Sequence, residues 1–442
     1  MRRTRPPGNQ RGTGDAVKVA VGCSVGATIE TYDFIGFGTA AALYLGAAFF
    51  PGSDPLSASL LSFATLGVGF AARPLGGVLA GHLGDRIGRK PVLVGSFLLM
   101  GIATVLIGCL PTYAQAGAWA PVLLVAVRVV QGLAFGGEWG GAILMTFEHA
   151  PQHRRGLYTG LAQAGFPVGL LLANLAFLLS SGLGGTWPWR VPFLLSAVLV
   201  LVGIVVRLKI TESPEFTELK ESGERARNPI WEVLRDDWRT VLRALCLRVV
   251  ETAGYAVSVT YMLSYLKLGE APTAGSLSLL ALTTAAAIGV VATTAWGFLS
   301  DFVGRRPIYL TACAVTIAWG IPMFLLAGTG STALIVLVFA VSYALCQNAL
   351  ASVQGAWFCE LFTARTRTAG ASLSYQISAV VAGFTPMLAT ALHGVAGWLG
   401  PALLFSGYGA LGLVATLLTP ETWKPARGTP GDAKVQERQS LA

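Results

Sequence analysis

Long runs of apolar residues, separated by short polar stretches, repeat along nearly the whole chain. Twelve of these runs approach the ~20 residues that a helix needs to cross about 30 Å of hydrocarbon. They cover residues 17–46, 58–82, 91–110, 118–147, 157–184, 190–209, 241–266, 274–299, 307–328, 332–358, 368–392 and 397–419. Barrel strands would be shorter and would alternate in polarity. The pattern therefore predicts an all-α polytopic membrane protein with twelve transmembrane helices.

The polar stretches divide the predicted helices into two sets of six. Residues 1–16 form a basic tail and residues 420–442 a polar tail, and we expect both to be disordered. The N-terminal half covers 17–209 and the C-terminal half covers 241–419. Residues 210–240 between them are polar and mixed in charge, which is typical of a linker.

Composition supports a membrane protein, and the distribution of charge decides its orientation. The 442 residues are 54% hydrophobic and 12% charged, against about 25% charged in soluble domains. Most of the 31 Lys and Arg residues fall in the tails, the linker and the loops on the same side; the exceptions are Arg73, Arg128, Arg190, Arg248 and Lys267. The positive-inside rule then puts both termini in the cytoplasm. The net charge of +9 reflects this topology, and we expect no nucleic-acid partner.

A charged motif occurs twice, at the same place in each half. GHLGDRIGRKP at 81–91 and GFLSDFVGRRP at 297–307 share six of eleven positions, at an offset of 216 residues. A second repeat lies at an offset of 212 residues. In each copy an acidic residue is followed seven positions later by an arginine: Glu148 and Arg155, then Glu360 and Arg367. Two repeated six-helix halves are a transporter architecture, in which the binding site lies between the halves.

We interpret the charged motif as a latch that closes the two halves on the cytoplasmic side. Asp85 can accept hydrogen bonds from a helix N-terminus in the opposite half, and the basic residues favour the anionic cytoplasmic face. The alternative is that the motif only marks topology. The residues assigned to the latch and its signature loop are Gly81, Asp85, Arg86, Gly88, Arg89, Lys90, Asp301, Gly304, Arg305, Arg306, Glu148, Arg155, Glu360 and Arg367.

The motif between the second and third predicted helices resembles the signature loop of the major facilitator superfamily. Other motifs resemble its metabolite:H⁺ symporter branch: ETYDFIGFG (30–38), RPLGG (73–77), RVVQGLAFGGEWGG (128–141), WRVPFLLS (189–196), ESPEF (212–216) and PET (420–422). The resemblance implies two six-helix halves around a cavity lined by the first, fourth, seventh and tenth helices. The branch handles citrate, α-ketoglutarate, shikimate, proline and betaine, so the substrate stays open.

Charged residues inside the predicted helices need a reason, because each costs about 2.5–3.5 kcal/mol at bilayer depth. Glu30 and Asp33 are spaced i, i+3 on one helix face, and two carboxylates this close do not both ionise easily. All four histidines lie at helix ends or in loops, so we expect the proton carrier to be a carboxylate. Asp33 and Glu30 rank first, followed by Glu138 and Glu251. The alternative is a structural ion pair with a basic residue.

Arg128 is the leading candidate for the substrate site. Arginine binds carboxylates through a bidentate fork, and the resemblance places the fourth helix opposite Glu30 and Asp33. Arg128 could instead be only a structural partner of these carboxylates. The full set of candidate substrate contacts is Arg128, Gln131, Tyr32, Arg248, Tyr255, Tyr261, Gln347, Asn348, Tyr375 and Gln376.

Together these features predict a proton-coupled symporter that imports a small carboxylate-bearing or zwitterionic metabolite across a bacterial-type inner membrane. Its partners would be the substrate, protons and the lipid bilayer, and the chain would act as a monomer. The sequence contains neither a Walker loop nor an arrangement of nucleophile, base and metal ligands. We therefore expect no ATP drive, enzyme activity, metal or cofactor. A proton-coupled exporter of the same fold and a non-transporting sensor are the alternatives.

Overall fold

The computed structural model describes residues 13–87, 89–136, 139–209, 233, 235–268, 275–363 and 366–423. Every regular element within these ranges is helical. The first half contains α1 (Thr13–Ala40), α2 (Gly46–Phe49), α3 (Pro55–Ile87), α4 (Arg89–Cys109), α5 (Tyr113–Ala116), α6 (Trp119–Phe135), α7 (Trp139–His149), α8 (Arg155–Gln163), α9 (Gly165–Ser180) and α10 (Trp187–Lys209). The second half contains α11 (Trp238–Tyr255), α12 (Met262–Leu268), α13 (Gly275–Val303), α14 (Arg305–Ala327), α15 (Thr332–Val341), α16 (Asn348–Leu361), α17 (Arg367–Ala396) and α18 (Leu399–Leu417).

Within the described part of the chain, three π-helical turns continue directly into neighbouring α-helices. They join α1 to α2 (Ala41–Leu45), α11 to α12 (Ala256–Tyr261) and α15 to α16 (Ser342–Gln347). Short π-helical turns inside α-helices are frequent at functional sites. All three lie in helices that the sequence predicts to line the cavity.

Within the described ranges, eight helical runs are long and apolar enough to cross a membrane. They are Pro55–Ala80, Gln152–Ser180, Trp187–Ile204, Gly275–Val303, Arg305–Ala327, Thr332–Leu361, Ala369–Ala396 and Leu399–Leu417. Two shorter apolar helices, Val94–Cys109 and Trp119–Phe135, occupy two more predicted positions. The chain is a multi-pass membrane protein, and the number of twelve crossings stays a prediction.

Several predicted boundaries are wrong in detail. The first helix begins at Thr13 and not at residue 17, and α11 begins at Trp238 and not at residue 241. Within the predicted helix 118–147 the structure describes α6 up to Phe135 and α7 from Trp139, and residues 137 and 138 lie outside the described residues. The first charged motif is largely helical, because α3 extends to Ile87 and α4 begins at Arg89.

The two halves meet along two sets of helices. α3 packs against α17, while α8 and α9 pack against α13. At the second contact Gly156 of α8 touches Gly297 of α13 so closely that a Cβ atom on either residue would collide with the other helix. At the far end of the bundle, Lys267 Nζ donates a hydrogen bond of 2.8 Å to the carbonyl oxygen of Leu43 in the other half. Contacts between the halves therefore exist at both ends.

Candidate functional site

Asp33 lies on α1 in the interior of the bundle and is 1% exposed. Neither of its carboxylate oxygens makes a hydrogen bond of normal geometry. Its electrostatic neighbours are Thr104, Glu30 and Arg128. The Thr104 hydroxyl is already committed as a donor to the Met100 carbonyl oxygen at 3.0 Å. A neutral Asp33 could donate to the Thr104 oxygen, whereas the carboxylate has no donor there.

Arg128 on α6 is fully buried and only partly engaged by the protein. Its Nη1 donates to Oε1 of Gln131, whose Nε2 donates to Thr104 Oγ1 at 2.7 Å. The guanidinium stacks on the Phe37 ring, with 3.9 Å from Cζ to the ring centre. Among the residues that the structure describes, its Nε and Nη2 have no hydrogen-bond partner. These two atoms form the edge of the guanidinium that binds a carboxylate bidentately.

The position of Arg128 depends on a glycine of the neighbouring helix. A Cβ atom on Gly69 of α3 would lie 2.7 Å from Nη2 of Arg128, so only glycine leaves room for the guanidinium there. The sequence suggested that Arg128 faces Asp33. The two are electrostatic neighbours, but no salt bridge joins them. The arginine fork and the nearby carboxylate are thus both available.

Arg73 on α3 belongs to the same cluster, although the sequence analysis gave it no role. Its Cζ lies 3.7 Å from the ring centre of Phe34, 4.1 Å from that of Phe70 and 3.8 Å from that of Phe135. Cation–π contacts with three rings hold this arginine in place. The signal that could have found it is the high cost of any arginine inside an apolar run.

The second half contributes an ion pair on α11 between the buried Arg248 and the partly buried Glu251. Arg248 Nη1 lies 2.7 Å from Glu251 Oε2 and also donates to Oε1 of Gln354. Gln354 Nε2 in turn donates to the Tyr309 hydroxyl at 2.5 Å. The Arg248 guanidinium lies 4.4 Å from the ring centre of Tyr375. Gln354 and Tyr309 are further residues that sequence reasoning missed, since neither is charged.

The clusters of the two halves are continuous. Arg73 has Glu30 of its own half, and Tyr375 and Arg248 of the other half, as electrostatic neighbours. Tyr375 in turn lies near Glu30 and Glu251. The structure therefore brings together three guanidinium groups and three carboxyl groups: Arg73, Arg128, Arg248, Glu30, Asp33 and Glu251.

Tyr255, Gln347 and Asn348 form a polar group beside this cluster. Tyr255 is an electrostatic neighbour of Glu251, and its ring packs against that of Tyr343 with the centres 6.0 Å apart. The Tyr255 hydroxyl, both amide atoms of Gln347 and Nδ2 of Asn348 have no hydrogen-bond partner in the structure. These three predicted site residues therefore keep free hydrogen-bonding capacity next to the charged cluster.

Three other predicted substrate contacts interact with other parts of the protein in this structure. The Tyr32 hydroxyl donates to the Pro192 carbonyl oxygen at 2.6 Å, so it ties α1 to α10. Tyr261 packs against His393 at the end of the bundle that carries Lys267. Gln376 Nε2 donates to the Gly136 carbonyl oxygen at 2.8 Å and joins the two halves. The predicted proton-coupling residue Glu138 lies outside the described residues.

The second charged motif joins the halves at the opposite end from Lys267. Asp301 at the end of α13 accepts the backbone N–H groups of Gly156 and Leu157, at 2.7 and 2.8 Å. These groups belong to the first turn of α8, where a helix favours negative charge. Arg305 holds Asp301 through a salt bridge of 2.9 Å and lies 3.4 Å from Glu360. We call Asp301, Arg305 and Glu360 the latch cluster.

The other residues predicted for the latch and its signature loop lie near Cys359, at the end of α18 or in the first motif. Arg155, Glu360, Arg367 and Glu148 are all electrostatic neighbours of the buried Cys359. Arg306 uses its side chain to cap α18, donating to the carbonyl oxygens of Thr416 and Leu417. In the first motif, Gly88 and the side chains of the remaining predicted residues lie outside the described part of the structure: Gly81, Asp85, Arg86, Arg89 and Lys90.

The segment Pro420–Trp423 is ordered against the latch cluster, which corrects the predicted disordered tail from residue 420. Glu421 accepts the backbone N–H groups of Arg305 and Arg306, at 3.2 and 2.8 Å, and so caps α14. Trp423 Nε1 donates to the Asp301 carbonyl oxygen at 3.0 Å. Gly304, which directly precedes Arg305, has φ +99°, a conformation that only glycine adopts without strain.

Comparisons with known proteins identify the family. The sequence profile of the Major Facilitator Superfamily matches this chain twice, over residues 24–344 and over residues 259–441. The chain belongs to the major facilitator superfamily. The curated relatives of this chain are transporters, and the chain is therefore a membrane transporter and not an enzyme.

Three such relatives match almost the full length of this superfamily member. It is 36% identical over 434 residues to the shikimate transporter of Escherichia coli K12, covering 92% of this chain and 97% of the relative. It is 37% identical over 416 residues to the inner membrane metabolite transport protein YhjE of the same organism, covering 92% and 94%. It is 31% identical over 446 residues to that organism's proline/betaine transporter, covering 96% and 88%. A crystal structure of a D-xylose-proton symporter has the same fold, with a TM-score of 0.68, 18% identity and coverage of 93% and 98%.

Proposed function

We propose that this transporter imports a small carboxylate-bearing metabolite together with protons, by alternating access. The proposal rests above all on one observation at Arg128. The Nε and Nη2 edge of its guanidinium is buried and without a partner, next to an Asp33 carboxyl group that is also without one. A substrate carboxylate would bind this edge bidentately, and Asp33 would carry the proton.

Charge balance within the cluster couples the binding of the proton to the binding of the substrate. Among the residues that the structure describes, the cluster holds three guanidinium and three carboxyl groups, and these six groups are together neutral when all are ionised. A proton on Asp33 alone leaves one positive charge in excess, and a substrate carboxylate alone leaves one negative charge in excess. Either intermediate is costly at this depth. Proton and monocarboxylate together restore neutrality, so the carrier would change its access only when empty or when loaded with both.

Alternating access would follow from the two-half architecture. Residues 17–209 and 241–419 would be the two six-helix halves, twelve crossings in all, joined by the linker 210–240. The excess of Lys and Arg on one side supports cytoplasmic termini in an inner membrane. The latch cluster would then close the cytoplasmic side and break when the cavity opens inward. We further propose that the monomer is the transporting unit.

Uptake into proteoliposomes tests this function. Purified protein is reconstituted, labelled monocarboxylates are offered outside, and the external pH is set one unit below the internal pH. The account predicts accumulation above the external concentration, abolished by a protonophore and unaffected by a change in membrane potential, because a proton and a monoanion carry no net charge. Accumulation that is independent of the pH gradient, or driven by potential alone, would contradict it.

A further inference from the structure

We infer that the substrate is a hydroxylated carboxylate, and that Gln347, Asn348 and Tyr255 bind its hydroxyl groups. This inference rests on the proposed function, since the carboxylate end of the substrate is assigned to Arg128. It adds a second subsite, in the other half of the protein, that determines which carboxylates are accepted.

The amide of Gln347 is the first observation that carries the inference. The side chain is 1% exposed, and neither Nε2 nor Oε1 has a hydrogen-bond partner. A buried amide without partners is costly, about 1–3 kcal/mol for each unsatisfied group. Such groups in a folded protein call for an explanation, and a ligand is one.

Two glycines make room for this subsite. A Cβ atom on Gly254 of α11 would lie 2.7 Å from Nε2 of Gln347, and one on Gly289 of α13 would lie 2.6 Å from Nδ2 of Asn348. Both amides therefore sit in spaces that any larger residue would fill. Asn348 is 3% exposed, and its Nδ2 likewise has no partner.

The hydrogen-bonding character of these groups selects the ligand chemistry. Gln347 offers a donor and an acceptor, Asn348 a donor, and the Tyr255 hydroxyl can do either. A substrate hydroxyl also donates and accepts, so it satisfies both atoms of the Gln347 amide. A second carboxylate only accepts, an ammonium group only donates, and a quaternary ammonium does neither.

Aromatic faces bind quaternary ammonium groups, and two of the aromatic surfaces near the cluster are already occupied by arginines. The three-ring group of Phe34, Phe70 and Phe135 already holds Arg73 at 3.7–4.1 Å. The face of Tyr375 already holds Arg248. Among the proteins reported above, the inference therefore favours the chemistry of a hydroxylated acid over that of a betaine.

The subsite is continuous with the carboxylate site. Arg128 is an electrostatic neighbour of Arg73, which is an electrostatic neighbour of Arg248. Arg248 forms a salt bridge with Glu251. Glu251 lies one helical turn from Tyr255 and is its electrostatic neighbour. The inferred substrate would cross the interface between the halves, with its carboxylate at the arginine fork and its hydroxyl groups at the free amides.

Binding measurements with paired probes test the inference. The purified protein is titrated with lactate and propionate, gluconate and hexanoate, and shikimate and cyclohex-1-ene-1-carboxylate, with glycine betaine as a further probe. We expect at least one hydroxylated acid to bind ten times or more as tightly as its partner. Gln347→Met and Asn348→Leu should each reduce that ratio to threefold or less.

Asn174→Leu is the matched control. Asn174 is a buried amide whose Nδ2 donates to the Leu170 carbonyl oxygen and whose Oδ1 accepts from Thr39, so the protein itself satisfies it. This variant should keep the ratio even if it is less stable. Equal affinities within every pair, or an unchanged ratio in Gln347→Met, overturn the hydroxyl subsite while leaving carboxylate binding at Arg128 intact. Binding of betaine with no binding of any acid overturns the inference and the proposed function together.

Discussion

Asp301 of the second half holds the N-terminus of a helix of the first half, its Oδ1 accepting the backbone N–H of Gly156 at 2.7 Å. The Leu157 N–H binds the other carboxylate oxygen. Hydrogen bonds to a charged group contribute about 1.5–3 kcal/mol each. This carboxylate thus contributes directly to keeping the halves closed at this end.

Asp301→Asn should weaken the closure, because the amide nitrogen offers no acceptor to the Leu157 N–H. Cys359 is a native probe, since its buried thiol is an electrostatic neighbour of Glu360 and Arg155 at this end of the bundle. In a background without the other five cysteines, we expect maleimide to label Cys359 at least five times faster in Asp301→Asn.

Asp54→Asn controls for the loss of a helix cap. Asp54 also accepts two backbone N–H groups, those of Leu56 and Ser57, but within one half. Its variant should leave the labelling of Cys359 unchanged. Equal labelling rates in Asp301→Asn and the parent protein would refute the latch.

Gly304→Ala should destabilise the latch end. The φ of +99° with ψ of 169° is a conformation essentially restricted to glycine. An added Cβ atom would also lie 2.7 Å from Glu421 Oε2. We expect the strain to lower the free energy of unfolding by about 1–3 kcal/mol, seen as a lower midpoint of thermal unfolding.

Gly407→Ala is the control, since no atom of a neighbouring element lies within 4 Å of its added Cβ, and its midpoint should not fall. Equal midpoints for the two variants would count against the strain argument.

Arg128→Lys should impair substrate binding far more than it impairs membrane insertion. Lysine keeps the charge, but it cannot present the Nε and Nη2 edge or the stacking on Phe37. We expect affinity to fall more than tenfold while the yield of folded protein stays within about twofold, measured by titration and by quantitative chromatography. Affinity within threefold of the parent, with a collapsed yield, would make Arg128 a structural residue.

The fold followed from the sequence more closely than the site did. Apolar run lengths predicted an all-helical membrane fold, because bilayer thickness imposes the length of the helices, and the number of crossings stays a prediction. The sequence predicted a helix N-terminus contact for Asp85 and included Asp301 in the latch only through the motif repeat; the described contact is the one at Asp301. The role of Glu421 was missed because the cap it forms joins residues more than a hundred positions apart, and a short polar segment after the last helix looks like a tail.

Within the site, residue type and position along a helix indicated which side chains are buried but not which partners they choose. Tyr32 is one residue from Asp33, yet its hydroxyl is turned to Pro192. Arg73 was passed over because its partners are phenylalanines, which carry no polar signal. Hydrogen-bond partners depend on the packing between helices, and a single sequence does not contain that information.

The central claim is that Asp33 carries the coupled proton, and Asp33→Asn in proteoliposomes tests it most directly. Asparagine keeps the shape of the side chain but cannot lose a proton, so the site would stay fixed in the state that accepts a carboxylate. We expect the variant to lose uphill uptake driven by a pH gradient, to keep counterflow exchange of labelled substrate, and to show a flattened pH dependence. Glu30→Gln should show the same defect more weakly. If Asp33→Asn still concentrates substrate against its gradient with the pH profile of the parent protein, the proton pathway does not run through Asp33 and the account is wrong.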